Sequence, residues 1–299
     1  MSSSIEERIR KGLALTRFAQ IFVRSPMAQR LLARAVAGMR APAGVSVESV
    51  AANGVRCEWI DPHGPHSARV LVYIHGGGFV MGLTPAHIRM AAYLARKAGI
   101  RVLMVDYRLA PAHPFPAALE DCVAAYRWVL KQGLGGKSVA IAGDSAGGNL
   151  TITTMMKIRD LGEPLPAAAA CLSPVACLVP GSNRLEGMED PVLPSKAIEY
   201  YNRSYVGTSD ASNPLISPLF GDLRDLPPLL MHVGECEVLR DNAVRLAASA
   251  KAAGVDARWE IFPGMWHVWQ LFPKLPQASR SLDGIAAFLG ERLRETAPN

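Results

Sequence analysis

The sequence predicts an α/β fold: a mostly parallel sheet with helices on both faces, entered through an antiparallel hairpin. Three observations carry that prediction. Short apolar runs alternate with helical patterns from about residue 69 onward, the arrangement of strands joined by helical crossovers. The first two strand-like runs flank Asn53-Gly54, a dipeptide suited to the tight turn between paired antiparallel strands. Hydrophobic residues make up 49% of the 299 and charged residues 19%, which gives a large buried core and excludes a disordered chain.

The elements follow in order. Residues 5–40 read as a helical pair, with Ile5, Ile9 and Leu13 at steps of four and Ser25-Pro26 breaking the run. Val45–Val50 and Val55–Ile60 form the hairpin. Arg69–Ile74 and Val102–Val105 are apolar throughout, as strands buried on both faces are. Further strands are expected at 138–142, 168–172, 229–233 and 258–262. Helices are expected at 86–98, 117–132, 146–161, 240–253 and 278–294. Residues 174–222 fit neither period. Rich in Pro, Ser, Asn and Gly around a helical piece at Ser195–Tyr205, they read as an excursion above the sheet, the place of a lid or binding loop.

Composition also narrows the partners. The net charge is +6, yet the chain has no dense Lys/Arg run and no interleaving of aromatic with basic residues, so nucleic acid is not expected. No apolar stretch reaches the length of a membrane span, and the polar start MSSSIEERIRKGL lacks the apolar segment of a secretory signal. The five cysteines are scattered with no CxxC. They are expected to be buried free thiols in a reducing cytoplasm.

One short stretch carries chemistry. GDSAGG, Gly143–Gly148, lies between a strand and a helix. In that setting G-x-S-x-G makes a strained turn that lifts the Ser145 hydroxyl clear of the sheet, at a helix start that favours developing negative charge. A serine needs a base. Of seven histidines, His63 and His66 sit in a polar turn, His87 opens a helix as a surface or capping group, and His113 lies among prolines. His232 falls inside an apolar strand as a core histidine. His267 alone follows the last strand on a loop, FPGMWHVW, that can swing above the sheet, and it is the expected base. The base needs an acid, expected on the loop after the penultimate strand. GECEVLRDN offers Glu235, Glu237 and Asp241. Glu237 is preferred; Asp241 is the alternative, explained equally as a carboxylate in the first turn of the 240–253 helix. HGGGF, His75–Phe79, follows a strand, and its glycines let backbone N–H groups face a pocket. The N–H of Ala146 adds a donor.

With HGGGF at 75–79, DYRLAPAHPFPAALED at 106–121, GDSAGGNL at 143–150, SPL at 217–219 and GMWH at 264–267, the chain resembles the bacterial hormone-sensitive-lipase-like esterases, family IV of the α/β-hydrolase superfamily. The resemblance implies an eight-stranded hydrolase core over 46–299 and a helical cap from residues 1–45 and an insertion at about 180–215. It implies Ser145 as nucleophile, His267 as base, and donors from Gly77, Gly78 and Ala146. Gly76 becomes a spacer and His75 a brace, while Asp144 fits the GDSAG branch. Glu237 stands where many relatives carry Asp. Phe79, Met81 and Trp266 lie near the motif loops and are expected to line a substrate pocket; Met265 and Trp269 fit pocket or core equally. The implied substrate is a small ester with a short or medium acyl chain, no metal or organic cofactor is needed, and a homodimer is expected. An amidase or lactonase would use the same residues, and a receptor that has lost catalysis is the reading from another class.

Overall fold

The computed structural model describes residues 41–62, 68–182, 190–193 and 195–295. The helical pair expected at 5–40, and with it nearly all of the 1–45 cap segment, lies outside them, as do His63 and His66.

Eight strands form one sheet in the order β1-β2-β4-β3-β5-β6-β7-β8. They are β1 (Val45–Ala52), β2 (Val55–Pro62), β3 (Val70–Ile74), β4 (Arg101–Val105), β5 (Val139–Asp144), β6 (Ala169–Leu172), β7 (Leu229–Gly234) and β8 (Ala257–Phe262). β1 and β2 pair antiparallel around Asn53-Gly54, with Ala52 opposite Val55, and Asn53 takes the positive φ of 49° that this turn demands. β2 meets β4 antiparallel, and every later pairing is parallel. The crossovers are α1 (Pro85–Ala98), α2 (Ala117–Lys131), α3 (Ala146–Asp160), α4 (Ser195–Val206) and α5 (Arg240–Ala252); α6 (Pro276–Glu295) follows β8. Each expected strand and helix from residue 45 onward is present, with ends displaced by one or two residues.

The core follows the two-residue period of buried strands. Val70, Val72 and Ile74 of β3 join Leu103 and Val105 of β4 and Val139 and Ile141 of β5 on one face, against Cys122 and Tyr126 of α2 and Leu150 of α3. Leu71 and Tyr73, Val102 and Met104, and Ala140 and Ala142 line the other face, against Ile88 and Leu94 of α1 and Leu282 and Leu289 of α6. With both faces covered, no polar alternation is needed, which is why these strands read as continuous apolar runs. Four of the five cysteines are buried free thiols as expected; Cys236 is only half-buried.

The chain runs from β3 out to β4 on one side and then returns to β5 on the other. The crevice between the carboxyl ends of β3 and β5 is therefore a topological switch point, where open α/β sheets place their ligands. His75 follows β3 and Ser145 follows β5, so both open onto it. Among the described residues no helix is long and apolar enough to cross a membrane.

α3 leaves β5 pressed against β3. A Cβ added at Gly147 would lie 2.0 Å from the Ile74 carbonyl oxygen and 2.6 Å from that of His75. Both obstacles are backbone, so neither can rotate away. Gly147→Ala is expected to lower the stability measured by urea denaturation by about 1–3 kcal/mol or more. An unchanged midpoint would mean that α3 is free to move off the sheet.

Candidate active site

The elbow comes first. Ser145 takes φ 53° and ψ −118° at the N-terminal boundary of α3, a conformation that side chains rarely adopt. Its N–H donates to the Leu172 carbonyl at 2.8 Å, and its own carbonyl accepts from Asn149 and Val175. The strained turn is thus held from β6 as well as from α3. The Ala146 N–H belongs to the first turn of α3, whose N–H groups lack intrahelical acceptors.

His267 lies on the loop after β8, 95% buried, with Nε2 2.8 Å from Ser145 Oγ. Its Nδ1 faces Glu237 Oε2 at 3.6 Å, an ion-pair distance slightly longer than a hydrogen bond. Glu237 is fully buried. The other two acids of the loop go elsewhere: Glu235 accepts from the Gly264 N–H at 2.8 Å, and Asp241 pairs with Arg240 on the exposed first turn of α5. Ser173, which no motif in the sequence marks, follows β6 with φ 48°. It donates to Glu237 Oε2 at 2.6 Å and accepts from the Val268 N–H at 3.2 Å, tying Glu237 to the residue after His267.

Burial acts against the charged form of both partners. It pushes the Glu237 carboxyl above its ordinary range, although His267 and the Ser173 hydroxyl pull it down. Burial would also lower the His267 pKa, but Glu237, helped by Asp190 and Asp144, outweighs it and holds the imidazole above its usual range. Asp190 lies in the excursion, buried, with Oδ1 accepting from Val192 at 2.8 Å and Leu193 at 3.1 Å. Its carboxyl is raised by burial, against His267 and these N–H groups.

The glycine loop hangs beside the elbow. Gly76 N–H donates to Asp144 Oδ1 at 3.1 Å, and the Tyr73 hydroxyl donates to the same oxygen at 3.0 Å. Burial would raise the Asp144 carboxyl, but the nearby His87 and the Tyr73 hydroxyl outweigh it and hold it below the usual range. Gly77 has φ 116° and Gly78 φ 60°, and both border the cavity above Ser145. The His75 ring stacks on Tyr107 at 4.4 Å, while the Tyr107 hydroxyl donates to the His75 carbonyl at 2.9 Å. Asp106 pairs with Arg56, and Arg108 pairs with Asp121 at 2.8 Å.

The cavity encloses about 250 Å³. Ser145 and His267 border it together with Phe79, Met81, Val175, Leu239 and Phe272, and α4 closes it with Ile198, Tyr201 and Asn202. Trp266 does not belong to this wall, which corrects the expectation that it lines the pocket. Its side chain is fully buried in a cluster with Phe262, Met265, Trp269 and Leu275, while Val268, on the other side of His267, lines the cavity. Met265 and Trp269 are likewise core. His87 caps α1 as expected, accepting the Thr84 N–H at Nδ1, but it is buried rather than at the surface. Its Nε2 lies 3.6 Å from Asp144 Oδ2 at the cavity wall. His232 is a core histidine bonded to Ser281 at 2.9 Å, its pKa lowered to about 4, chiefly by burial. Among the described residues no group of His, Cys, Asp and Glu is arranged to hold a metal ion.

Comparison with known proteins agrees with this geometry. Residues 71–271 match the family described as alpha/beta hydrolase fold. An acetyl-hydrolase of Streptomyces hygroscopicus is 41% identical over 235 residues, 78% of each chain. An esterase of Acinetobacter venetianus is 33% identical over 249 residues, 82% of each chain. The crystal structure of an esterase from the bacterial hormone-sensitive lipase family is 40% identical, with a TM-score of 0.87 over 98% of this chain and 100% of that one. A hormone-sensitive lipase from a metagenome library is 33% identical, with a TM-score of 0.87 over 96% of this chain and 98% of that one. With a serine elbow, a histidine in contact with it and a glycine loop at one switch point, the chain belongs to the alpha/beta hydrolase family, in its bacterial hormone-sensitive-lipase branch.

Proposed function

We propose that this chain is a serine carboxylesterase acting on short- to medium-chain acyl esters through Ser145, His267 and Glu237. The observation that carries the reading is the 2.8 Å contact between His267 Nε2 and Ser145 Oγ at the wall of a small apolar cavity. Relatives named acetyl-hydrolase and esterase support the ester bond as the target, and the 250 Å³ volume suits a small acyl group.

In this mechanism Ser145 Oγ attacks the ester carbonyl as its proton passes to His267 Nε2. Glu237 orients the ring through Nδ1–H and stabilises the imidazolium; their 3.6 Å separation shortens as positive charge develops. The N–H groups of Gly77, Gly78 and Ala146 receive the oxyanion. Gly76 is the spacer, its N–H already committed to Asp144. His267 then protonates the leaving alcohol, and a water activated by the same base releases the acid. Within the excursion at about 180–215, α4 acts as a cap over the catalytic core, a reading supported by its side chains at the cavity.

Hydrolysis of a 4-nitrophenyl acyl series from C2 to C16 tests the reading. Activity should peak at short or medium chains, and Ser145→Ala should lower kcat by roughly 10⁴ to 10⁶. Wild-type rates equal to those of a folded Ser145→Ala would overturn it. Matched amide and lactone substrates should turn over more slowly than the ester; faster turnover would move the assignment to an amidase or lactonase.

The pH dependence follows from the buried pair. His267 must be neutral to accept the proton, so kcat/KM falls as pH drops through its pKa, which lies above the usual imidazole range. Glu237→Gln removes the charge that opposes burial. The acid limb of the pH–rate profile should then move to lower pH, while the maximal rate falls by on the order of 10⁴. A limb that stays in place would assign the acid's role to another carboxylate.

A further inference from the structure

We propose that Tyr201, on the excursion helix α4, is a positioning residue for this hydrolysis: its ring buttresses the glycine loop at Gly78 and so sets the direction of the oxyanion donors. The proposal rests on the ester-hydrolase reading of the site, and concerns how a segment outside the sheet enters the chemistry.

The contact is close and specific. A Cβ built on Gly78 would lie 2.5, 2.6 and 3.0 Å from Cγ, Cδ2 and Cδ1 of Tyr201. Three ring atoms at nearly one distance mean that the ring lies against the Gly78 backbone, where no other residue type leaves room. One helical turn on, Tyr205 stacks on Phe79 with centroids 3.8 Å apart and planes at 8°. Residues i and i+4 share a helix face, so α4 meets two consecutive loop residues with two consecutive aromatic rings. The loop is also fixed by the segment after β4, since the Phe79 carbonyl accepts from Ala110 at 2.9 Å, and α4 is tied to that same segment, since the Tyr205 carbonyl accepts from Phe115 at 2.8 Å. Gly78 and Phe79 both hold positive φ, 60° and 63°, conformations that persist only where surroundings enforce them.

Tyr201 also borders the cavity, so a plain substrate contact is the competing role. Its exposure of 5% argues that most of the ring is spent on protein. The two roles differ in kinetics. A ring that shapes the oxyanion donors acts on the transition state and appears in kcat, whereas a ring that only touches substrate appears in KM.

The test uses the full chain with 4-nitrophenyl acetate, comparing wild type, Tyr201→Phe and Tyr201→Ala, with folding checked by circular dichroism and Tyr201→Leu in reserve should the alanine variant not fold. Affinity for an alkyl trifluoromethyl ketone, whose adduct with the serine places an oxyanion on the donors, is the second readout. Tyr201→Ala, or Tyr201→Leu in its place, is expected to lower kcat about tenfold to a hundredfold. KM should change less than about threefold, and the ketone should weaken in step with kcat/KM. Tyr201→Phe keeps the ring and should stay within about threefold of wild type in both. A rise in KM with kcat and ketone affinity intact would overturn the proposal, as would an equal loss in Tyr201→Phe. Either result leaves the ester-hydrolase reading standing, because that reading is judged separately by the loss of wild-type turnover in Ser145→Ala.

Discussion

The buried carboxylate of Asp144 joins two segments that the chain keeps 68 residues apart. It immediately precedes Ser145, and its Oδ1 accepts both the Gly76 N–H and the Tyr73 hydroxyl. β3 and β5 are parallel neighbours with Ile74 opposite Gly143, so the two loops leave the sheet side by side, and Asp144 bonds one to the other. A charge in this position would be costly to bury alone. Three groups meet it: two hydrogen-bond donors on Oδ1 and His87 facing Oδ2 at 3.6 Å. The elbow's strained Ser145 and the glycine loop's positive φ values thus share one support, and the distance from Ser145 to the loop is set by the strand register together with the Asp144 carboxylate.

His267 and Glu237 arrive from the opposite direction. β7 and β8 lie at the far edge of the sheet, and their loops must reach back to β5. The Cys236 N–H bonds to the Met265 carbonyl at 2.8 Å, which ties the Glu237 loop to the His267 loop. Ser173, leaving β6 between the two groups of strands, then touches Glu237 with its hydroxyl hydrogen and Val268 with its oxygen. Burying Glu237 raises its pKa, yet the same exclusion of water strengthens its hold on His267. At His267 the pull of Glu237 outweighs burial and holds the imidazole above its usual range.

The sheet and its helices were legible because both of their signals are local. β3 and β4 are apolar at every position since helices cover both faces, and Asn53-Gly54 sets a turn that few other dipeptides permit. The motif residues were legible for a related reason: a glycine run after a strand and G-x-S-x-G between strand and helix each state a backbone requirement in sequence. Trp266 was not legible. Its neighbour His267 turns toward Ser145, and which way adjacent loop side chains point depends on a loop path that no periodicity encodes. His87 reads as a surface or capping group because it opens a helix, but its burial against Asp144 depends on where α1 lands. Ser173 and Tyr201 act through contacts with residues 64 and 123 positions away (237 − 173; 201 − 78), and neither lies in a pattern with chemistry of its own.

Those long-range contacts share a logic with the elbow. Three parts of the site are held from two sides by elements of different origin. Ser145 is held by α3 and by the Leu172 carbonyl of β6. Gly78 and Phe79 are held by the segment after β4 and by α4. Glu237 is held by its own pinned loop and by Ser173. A single support would let each relax, since strain of about 1–3 kcal/mol per residue is comparable to one packing contact. The excursion between β6 and β7 therefore does more than cover a cavity. By supplying one of the two supports for the glycine loop, it makes the course of Gly78 and Phe79 depend on a segment that the sheet does not itself order.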